Sequence, residues 1–192
     1  MKAYKQPRLT LPEYLQLERD TDQKHEYHNG EVYALAGGSL EHALIIGNCY
    51  AAIRSQLEGK DCKPIVNDAK LHIQSQNKYV YPDVMVVCGP IEKSEDHKDA
   101  LVNPAVIVEV LSESTSGYDR GDKFYFYRQI PSLKEYVLIA QDRPVVEVYF
   151  KQEGSDLWRI SRYEGTETTI QLRSLGIQIR MEELYFDLEL GG

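Results

Sequence analysis

The segment Ala105-Val106-Ile107-Val108-Glu109-Val110-Leu111 constrains the fold more than any other part of the chain. It is apolar and β-branched along nearly its whole length, with a single charge at Glu109. Side chains alternate between the two faces of a strand, so a run that is apolar at odd and even positions is covered on both sides. Such a strand belongs at the centre of a sheet flanked by helices. An ionised carboxylate left unpaired there would cost several kcal/mol. Glu109 is therefore protonated, paired with a cation, or bound to a metal.

The flanking segments supply the layers. Leu11 to Leu17 reads as a short helix with Thr10 as N-cap and Pro12 in the first turn. Asn29-Gly30 signals a hairpin between Glu26-Tyr27-His28 and Glu31-Val32-Tyr33-Ala34. After the break at Gly37-Gly38-Ser39, apolar residues from Ala43 to Leu57 recur at helical spacing, which predicts a helix over 40–58. Ile65 to Ile73 reads as one strand and Tyr79 to Cys88 as the next, with Gln76-Asn77 in the turn. Charged residues from Glu92 to Asp99 read as a solvated loop. A Ser/Thr-rich turn, Ser112 to Ser116, leads into a helix from about Tyr118 to Gln129, then a strand from Lys134 to Ile139. Three β patterns (Val145 to Phe150, Trp158 to Tyr163, Thr168 to Leu172) and a terminal helix over Met181 to Leu184 follow. The pattern predicts one α/β (α+β) domain over residues 1–192, a central mixed β-sheet flanked by helices with extra C-terminal strands.

The bulk properties narrow the function. Apolar residues make up 42% and charged residues 27% of 192 residues, the profile of a globular protein with a real core. No apolar stretch approaches the roughly 18 residues of a membrane span. Met1 to Pro7 carries basic residues but no following apolar region, so no signal peptide is expected. Cys49, Cys62 and Cys88 lack metal-ligand spacing and read as free thiols of a reducing cytoplasm. The net charge of −8 argues against a broad basic surface for nucleic acid. It leaves room for an enzyme that meets phosphate through bound cations and a few local Lys or Arg residues.

Asp83 follows Pro82 at the start of the apolar run Val84-Met85-Val86-Val87. It shares a face with Met85 and Val87, as Glu109 does with Ile107 and Leu111. If the two strands pair, both carboxylates reach one mouth of the sheet, where a divalent cation relieves their repulsion. Magnesium suits one or two carboxylates and keeps waters that a substrate phosphate can replace.

Tyr81-Pro82-Asp83-Val84, Val108-Glu109-Val110-Leu111-Ser112-Glu113-Ser114-Thr115, then Asp119, Lys123 and Tyr127, together resemble the large bacterial family of restriction-endonuclease-like proteins in the PD-(D/E)XK nuclease superfamily. Pro131 to Leu138 resembles that family's Gly-Val-Pro-Glu-Tyr-Trp type segment, and Asn29-Gly30-Glu31 and His42 fit its N-terminal pattern. The resemblance spans residues 10 to 185, and it implies a restriction-endonuclease-like core. One departure matters: the superfamily's lysine, two residues after the glutamate, is Leu111 here. The resemblance implies that Lys123 supplies the cation from the following helix. The other reading of Lys123 is an exposed helical salt bridge with Asp119.

The roles implied are a Mg²⁺ ion, replaceable by Mn²⁺, held by Asp83, Glu109 and a main-chain carbonyl near Val110. Lys123 would stabilise negative charge or orient water, with Glu31 and His42 as further site candidates. DNA is the implied substrate, and a homodimer the implied assembly, since two antiparallel strands need two sites. Two rivals stand beside this reading: a protein of the same fold that binds or regulates without catalysis, and one in which Asp83 and Glu109 serve only a buried ionic network. His25 and His28 with Glu26 lack the further ligands of a metal site. Gly37-Gly38-Ser39 reads as a helix start, and Tyr125 and Tyr127 as core or interface aromatics.

Overall fold

The computed structural model describes residues 8–66, 68–112 and 115–189. Its centre is a six-stranded mixed sheet in the order β11-β10-β9-β8-β6-β3. The strands are β3 (Cys62–Val66), β6 (Val84–Cys88), β8 (Val106–Leu111), β9 (Glu135–Ala140), β10 (Val145–Lys151) and β11 (Trp158–Glu164). Only β8 and β9 run parallel; every other neighbour is antiparallel. All six residues of β8 are buried, as its two-faced apolar pattern requires.

The two faces of this sheet feed different cores. Val84, Val86, Val108, Val110, Val137 and Ile139 pack with helix α2 (Leu40–Gln56) through Ile45, Ile46, Cys49 and Ile53. The intervening Met85, Val87, Ile107, Leu111, Tyr136 and Leu138 pack with Tyr127, Ile130 and Leu133 on the other side. The period-two alternation thus builds a three-layered arrangement around β8.

A second sheet has the order β2-β1-β5-β4-β7, from β1 (His25–His28), β2 (Glu31–Ala34), β4 (Lys70–Ile73), β5 (Lys78–Val80) and β7 (Ala100–Leu101). The hairpin β1–β2 turns at Asn29 and Gly30, whose φ angles of 48° and 101° suit an Asn-Gly turn. Helix α1 (Leu11–Asp20) starts with Thr10 and Glu13 in a capping box and buries Tyr14 against Tyr27 and Tyr79. A ribbon of β12 (Thr169–Leu172) and β13 (Ile177–Arg180), followed by α5 (Met181–Leu184), completes the α2 side. Buried Glu135 ties this ribbon to the central sheet by accepting from the backbone N–H groups of Arg173 and Ser174.

Several expectations need correction. The strand expected over 65–73 is two strands in different sheets, because β3 pairs with β6 and β4 with β5. The strand expected over 79–88 likewise divides into β5 and β6. Pro82 lies in the gap, where it has no N–H to donate to a ladder and restricts Tyr81 before it. β7 and β13 were not foreseen, and the Glu92–Asp99 loop contains buried Ser94, whose Oγ lies 2.7 Å from His72 Nδ1. Glu113, Ser114 and Met1 to Pro7, all used in the sequence reading, lie outside the described residues. Among those described, no helix is long and apolar enough to cross a membrane.

The cysteine expectation also fails. Cys62 and Cys88 are cross-strand partners in β3 and β6 and form a disulfide, leaving buried Cys49 as the free thiol. Spacing in sequence could not show this, since the pairing follows from strand register. The inference from free thiols to a reducing cytoplasm loses its premise at two of three cysteines. Closing a loop of sequence separation 26 should stabilise the fold by roughly 3 kcal/mol in the chain-entropy account. A Cys62→Ser/Cys88→Ser double variant should therefore melt several degrees lower in a non-reducing scan, and a reducing agent should lower only the wild-type midpoint.

Candidate active site

The antiparallel register ends at Val84↔Val108, and Asp83 and Glu109 are the next residues beyond that last pair. Asp83, in the bend before β6, and Glu109, in β8, therefore lie at one end of this strand pair, and the Asp83 charge acts on Glu109. Asp83 Oδ2 accepts the backbone N–H of Val110 at 2.8 Å. The same oxygen lies 3.4 Å from His42 Nε2, which arrives from the first turn of α2. Ser39 caps that turn by accepting the backbone N–H of His42. Its hydrogen bond to Asp83 raises the His42 pKa despite burial, with help from the Val110 carbonyl.

Gly38 makes this placement possible. A Cβ there would lie 2.7 Å from His42 Nδ1, so any larger residue must push the imidazole aside. Gly38→Ala should leave the melting midpoint nearly unchanged while the His42 pKa falls toward the ordinary ~6.5, read by proton NMR titration.

Glu109 enters from the opposite side of the site. Its Oε1 accepts the Tyr127 hydroxyl at 2.7 Å, and its Oε2 lies 2.8 Å from Lys123 Nζ. Burial pushes its pKa up to about 8, and Asp83 and Asp119 add to the shift against the pull of Lys123. Lys123 is itself buried, which opposes its charge, yet Glu109, Glu26 and Asp119 together hold its pKa well above the usual lysine value. Asp119 Oδ1 stands 3.4 Å from the same ammonium.

Lys123 reaches inward because its helix is not regular. The expected helix over 118–129 is an α turn α3 (Ser116–Tyr118), a π-helical stretch Asp119–Lys123 and a turn α4 (Phe124–Tyr127). The wider π turn buries both Asp119 and Lys123, which an exposed i,i+4 pair would not be. The salt bridge with Asp119 exists, then, but in the interior and shared with Glu109. Leu111, two residues beyond Glu109, is buried in the core beside Tyr127.

The structure adds a residue that sequence reasoning passed over. Glu26 of β1 is buried at 6% exposure. Burial alone would raise its pKa, but a hydrogen bond from His28 and the charge of Lys123 lower it. Glu31, the hairpin carboxylate expected at the site, is exposed on β2 and accepts from the Tyr33 hydroxyl, with Arg8 at 3.8 Å. A signal was present: His25-Glu26-Tyr27 becomes His, Glu and Tyr of a buried strand, where a carboxylate needs a partner. Asp83, Glu109, Lys123 and His42 are brought together; Glu31 is not joined to them by any of the contacts above.

Three carboxylates (Glu109, Asp119 and Glu26) act on one lysine. Among the described residues no three His, Cys, Asp or Glu side chains converge as a ready-made metal cage. The candidate donors, the carboxylates of Asp83 and Glu109, are hard oxygens, a chemistry that suits Mg²⁺ rather than Zn²⁺.

Comparison with known proteins agrees with this architecture. A protein of 18% sequence identity from Anabaena variabilis, titled a putative nuclease belonging to DUF820, superposes with a TM-score of 0.73, covering 92% of this chain and 97% of that one. Two uncharacterized proteins of Synechocystis are similar in sequence. One, slr1290, is 35% identical over 179 residues, 93% of this chain and 92% of the relative. The other, sll1609, is 34% identical over 169 residues, 88% of this chain and 95% of the relative. Residues 11–182 match the Uma2 family, described as "Putative restriction endonuclease", and the chain belongs to that family.

Proposed function

We propose that the protein is a Mg²⁺-dependent endonuclease that hydrolyses phosphodiester bonds in DNA. The observation that carries this reading is the approach of Asp83 to Glu109 at the end of the β6–β8 pair, with Lys123 at 2.8 Å from Glu109. Asp83, Glu109 and a main-chain oxygen near Val110 would hold Mg²⁺, with Mn²⁺ as a substitute. That ion would supply Lewis acidity toward the scissile phosphate and a bound water of lowered pKa.

The chain's own groups have separate tasks. Tyr127 fixes one oxygen of Glu109 and leaves the other to Lys123. Lys123 carries the positive charge that meets negative charge developing on the phosphate oxygens. His42 orients Asp83, and Glu26 with Asp119 keeps Lys123 protonated. A homodimer belongs to the same proposal: among the described residues β11 has a strand neighbour on one side only, and Ile160 on it is 58% exposed.

One observation favours a rival, a binding or regulatory module without catalysis. Both oxygens of Glu109 already have partners within the chain, so an ion must compete with Lys123 for it. The decisive measurement is cleavage of plasmid and single-stranded DNA in Mg²⁺ or Mn²⁺, alongside Mn²⁺ binding followed by its electron paramagnetic resonance signal. Cleavage that requires the ion supports the nuclease; absence of both cleavage and ion binding leaves the module.

A further inference from the structure

The face of the second sheet that carries Glu26 also carries His28, Lys78 and Tyr33, because His28 pairs with Lys78 across β1–β5 and Glu26 with Tyr33 across β1–β2. This face turns toward α4. The rings of Tyr33 and His28 lie 4.8 Å apart, those of His28 and Phe126 6.5 Å, and those of Phe126 and Tyr125 5.6 Å. Four aromatic side chains from three elements thus form a continuous row. Tyr125, at its far end, is 50% exposed. The near end adjoins the candidate active site, since His28 Nε2 is 3.1 Å from Glu26 Oε2 and Glu26 acts on Lys123.

Two cations are set against these rings. Lys78 Nζ sits 3.9 Å from the Phe126 ring centroid, and the Arg128 guanidinium 4.9 Å from that of Tyr125. Lys78 is only 8% exposed, yet among the described residues no carboxylate lies within ion-pairing distance of its ammonium. Burial lowers its pKa, and the more distant Glu26, Glu31 and Asp122 offset this in part. A cation so placed gains most from an anion arriving over the aromatic row.

We infer that the row Tyr33–His28–Phe126–Tyr125, with Lys78 and Arg128, is a track for the single-stranded DNA flanking the scissile phosphate. The inference rests on the nuclease reading and deepens it by naming the form of the substrate. Aromatic rings with interleaved cations bind unstacked bases and the backbone beside them, whereas bases inside a duplex present no free face. The chain's charge of −8 agrees, since a duplex footprint calls for many phosphate contacts and a stacking track calls for few.

The test is fluorescence anisotropy with labelled dT12 and a 12-base-pair duplex, with Ca²⁺ replacing Mg²⁺ and probe integrity checked on a gel. Wild type should bind dT12 at least about tenfold more tightly than the duplex. Tyr125→Leu should weaken dT12 binding about tenfold, the scale of one lost stacking contact. Lys78→Gln should weaken it about fivefold and reduce the salt slope by about 0.7, one single-strand phosphate contact. Lys78→Arg should restore both, and Lys63→Gln, on β3, should change neither. Equal or tighter duplex binding, or wild-type affinity in both Tyr125→Leu and Lys78→Gln, overturns the track. Ion-dependent cleavage with that second result leaves the nuclease reading standing without the track. The expected dT12 pattern without any cleavage supports the track and removes the nuclease reading.

Discussion

Glu109→Gln should abolish ion-dependent DNA cleavage, with a fall of about a thousandfold or more, while the protein remains folded with a melting midpoint within a few degrees of wild type. The rate effect corresponds to about 4 kcal/mol of transition-state stabilisation. The small stability effect follows from the surroundings of the side chain. A glutamine keeps the volume and can still accept from Tyr127, and its amide removes a buried charge that burial already disfavours. Lys123 does not become an orphan, because Asp119 stands 3.4 Å away. Asp83→Asn should lose activity to a similar extent and keep its hydrogen bond from Val110, since an amide oxygen can also accept. Unchanged cleavage in both variants would sink the mechanism. A collapse in stability with Glu109→Gln would instead favour a purely structural role for the pair.

Lys123→Met should show the opposite balance, with a loss of about 3–5 kcal/mol in stability at neutral pH. The change removes the ammonium that Glu109, Glu26 and Asp119 share, leaving His28 beside Glu26 but, among the described residues, no cation in contact with Glu109. Its pH dependence has a definite sign. A buried carboxyl whose folded pKa is raised binds more protons in the folded state than in the unfolded one. Its stability contribution is therefore greatest at low pH and is lost as pH rises from the ordinary carboxylate value through the folded one, about 8 for Glu109 in the wild type. In Lys123→Met, protons substitute for the missing ammonium in acid. The deficit should be smallest near pH 5 and grow as pH rises through about 8, where Glu109 ionises in the wild type but not in the variant, measured as denaturation midpoints from pH 5 to 9. A pH-independent deficit would mean that lost packing, not uncompensated charge, is responsible.

The two results together separate the roles in the site. If both hold, Glu109 acts in the chemistry of the site from a buried position where an apolar residue would pack as well. Lys123 would then serve both purposes, since its ammonium lies 2.8 Å from Glu109 and 3.4 Å from Asp119. This dual duty explains how the chain manages with Leu111 at the strand position. The buried leucine fills the core beside Tyr127, and the cation comes from a π-helical turn on the neighbouring layer.

Much of this was legible in the sequence. The two-faced apolar run over β8 dictated a central, covered strand, and its lone Glu109 dictated a partner, because burial of an unpaired carboxylate is costly at any position in any fold. Period-two alternation put Asp83 and Glu109 on definite faces, Asn29-Gly30 fixed the hairpin, and Thr10 and Ser39 marked helix starts. These are local consequences of backbone sterics and the pattern of apolar residues, so they survive without knowledge of the rest of the chain.

Other features depended on contacts between residues far apart in sequence. Strand breaks between Val66 and Lys70 and at Pro82 send adjacent segments into different sheets, which only the competition for strand partners decides. Register made Cys62 and Cys88 partners, and no spacing rule reveals a register. The π turn that buries Lys123 answers to the charge of Glu109 across the layer. Glu26 reaches Lys123 because the tertiary packing buries β1 more deeply than β2. The opening strand thus carried its own prediction of a buried, partnered carboxylate; which partners it received was a matter of three-dimensional neighbours, where electrostatics in a low-dielectric interior act without regard to sequence distance.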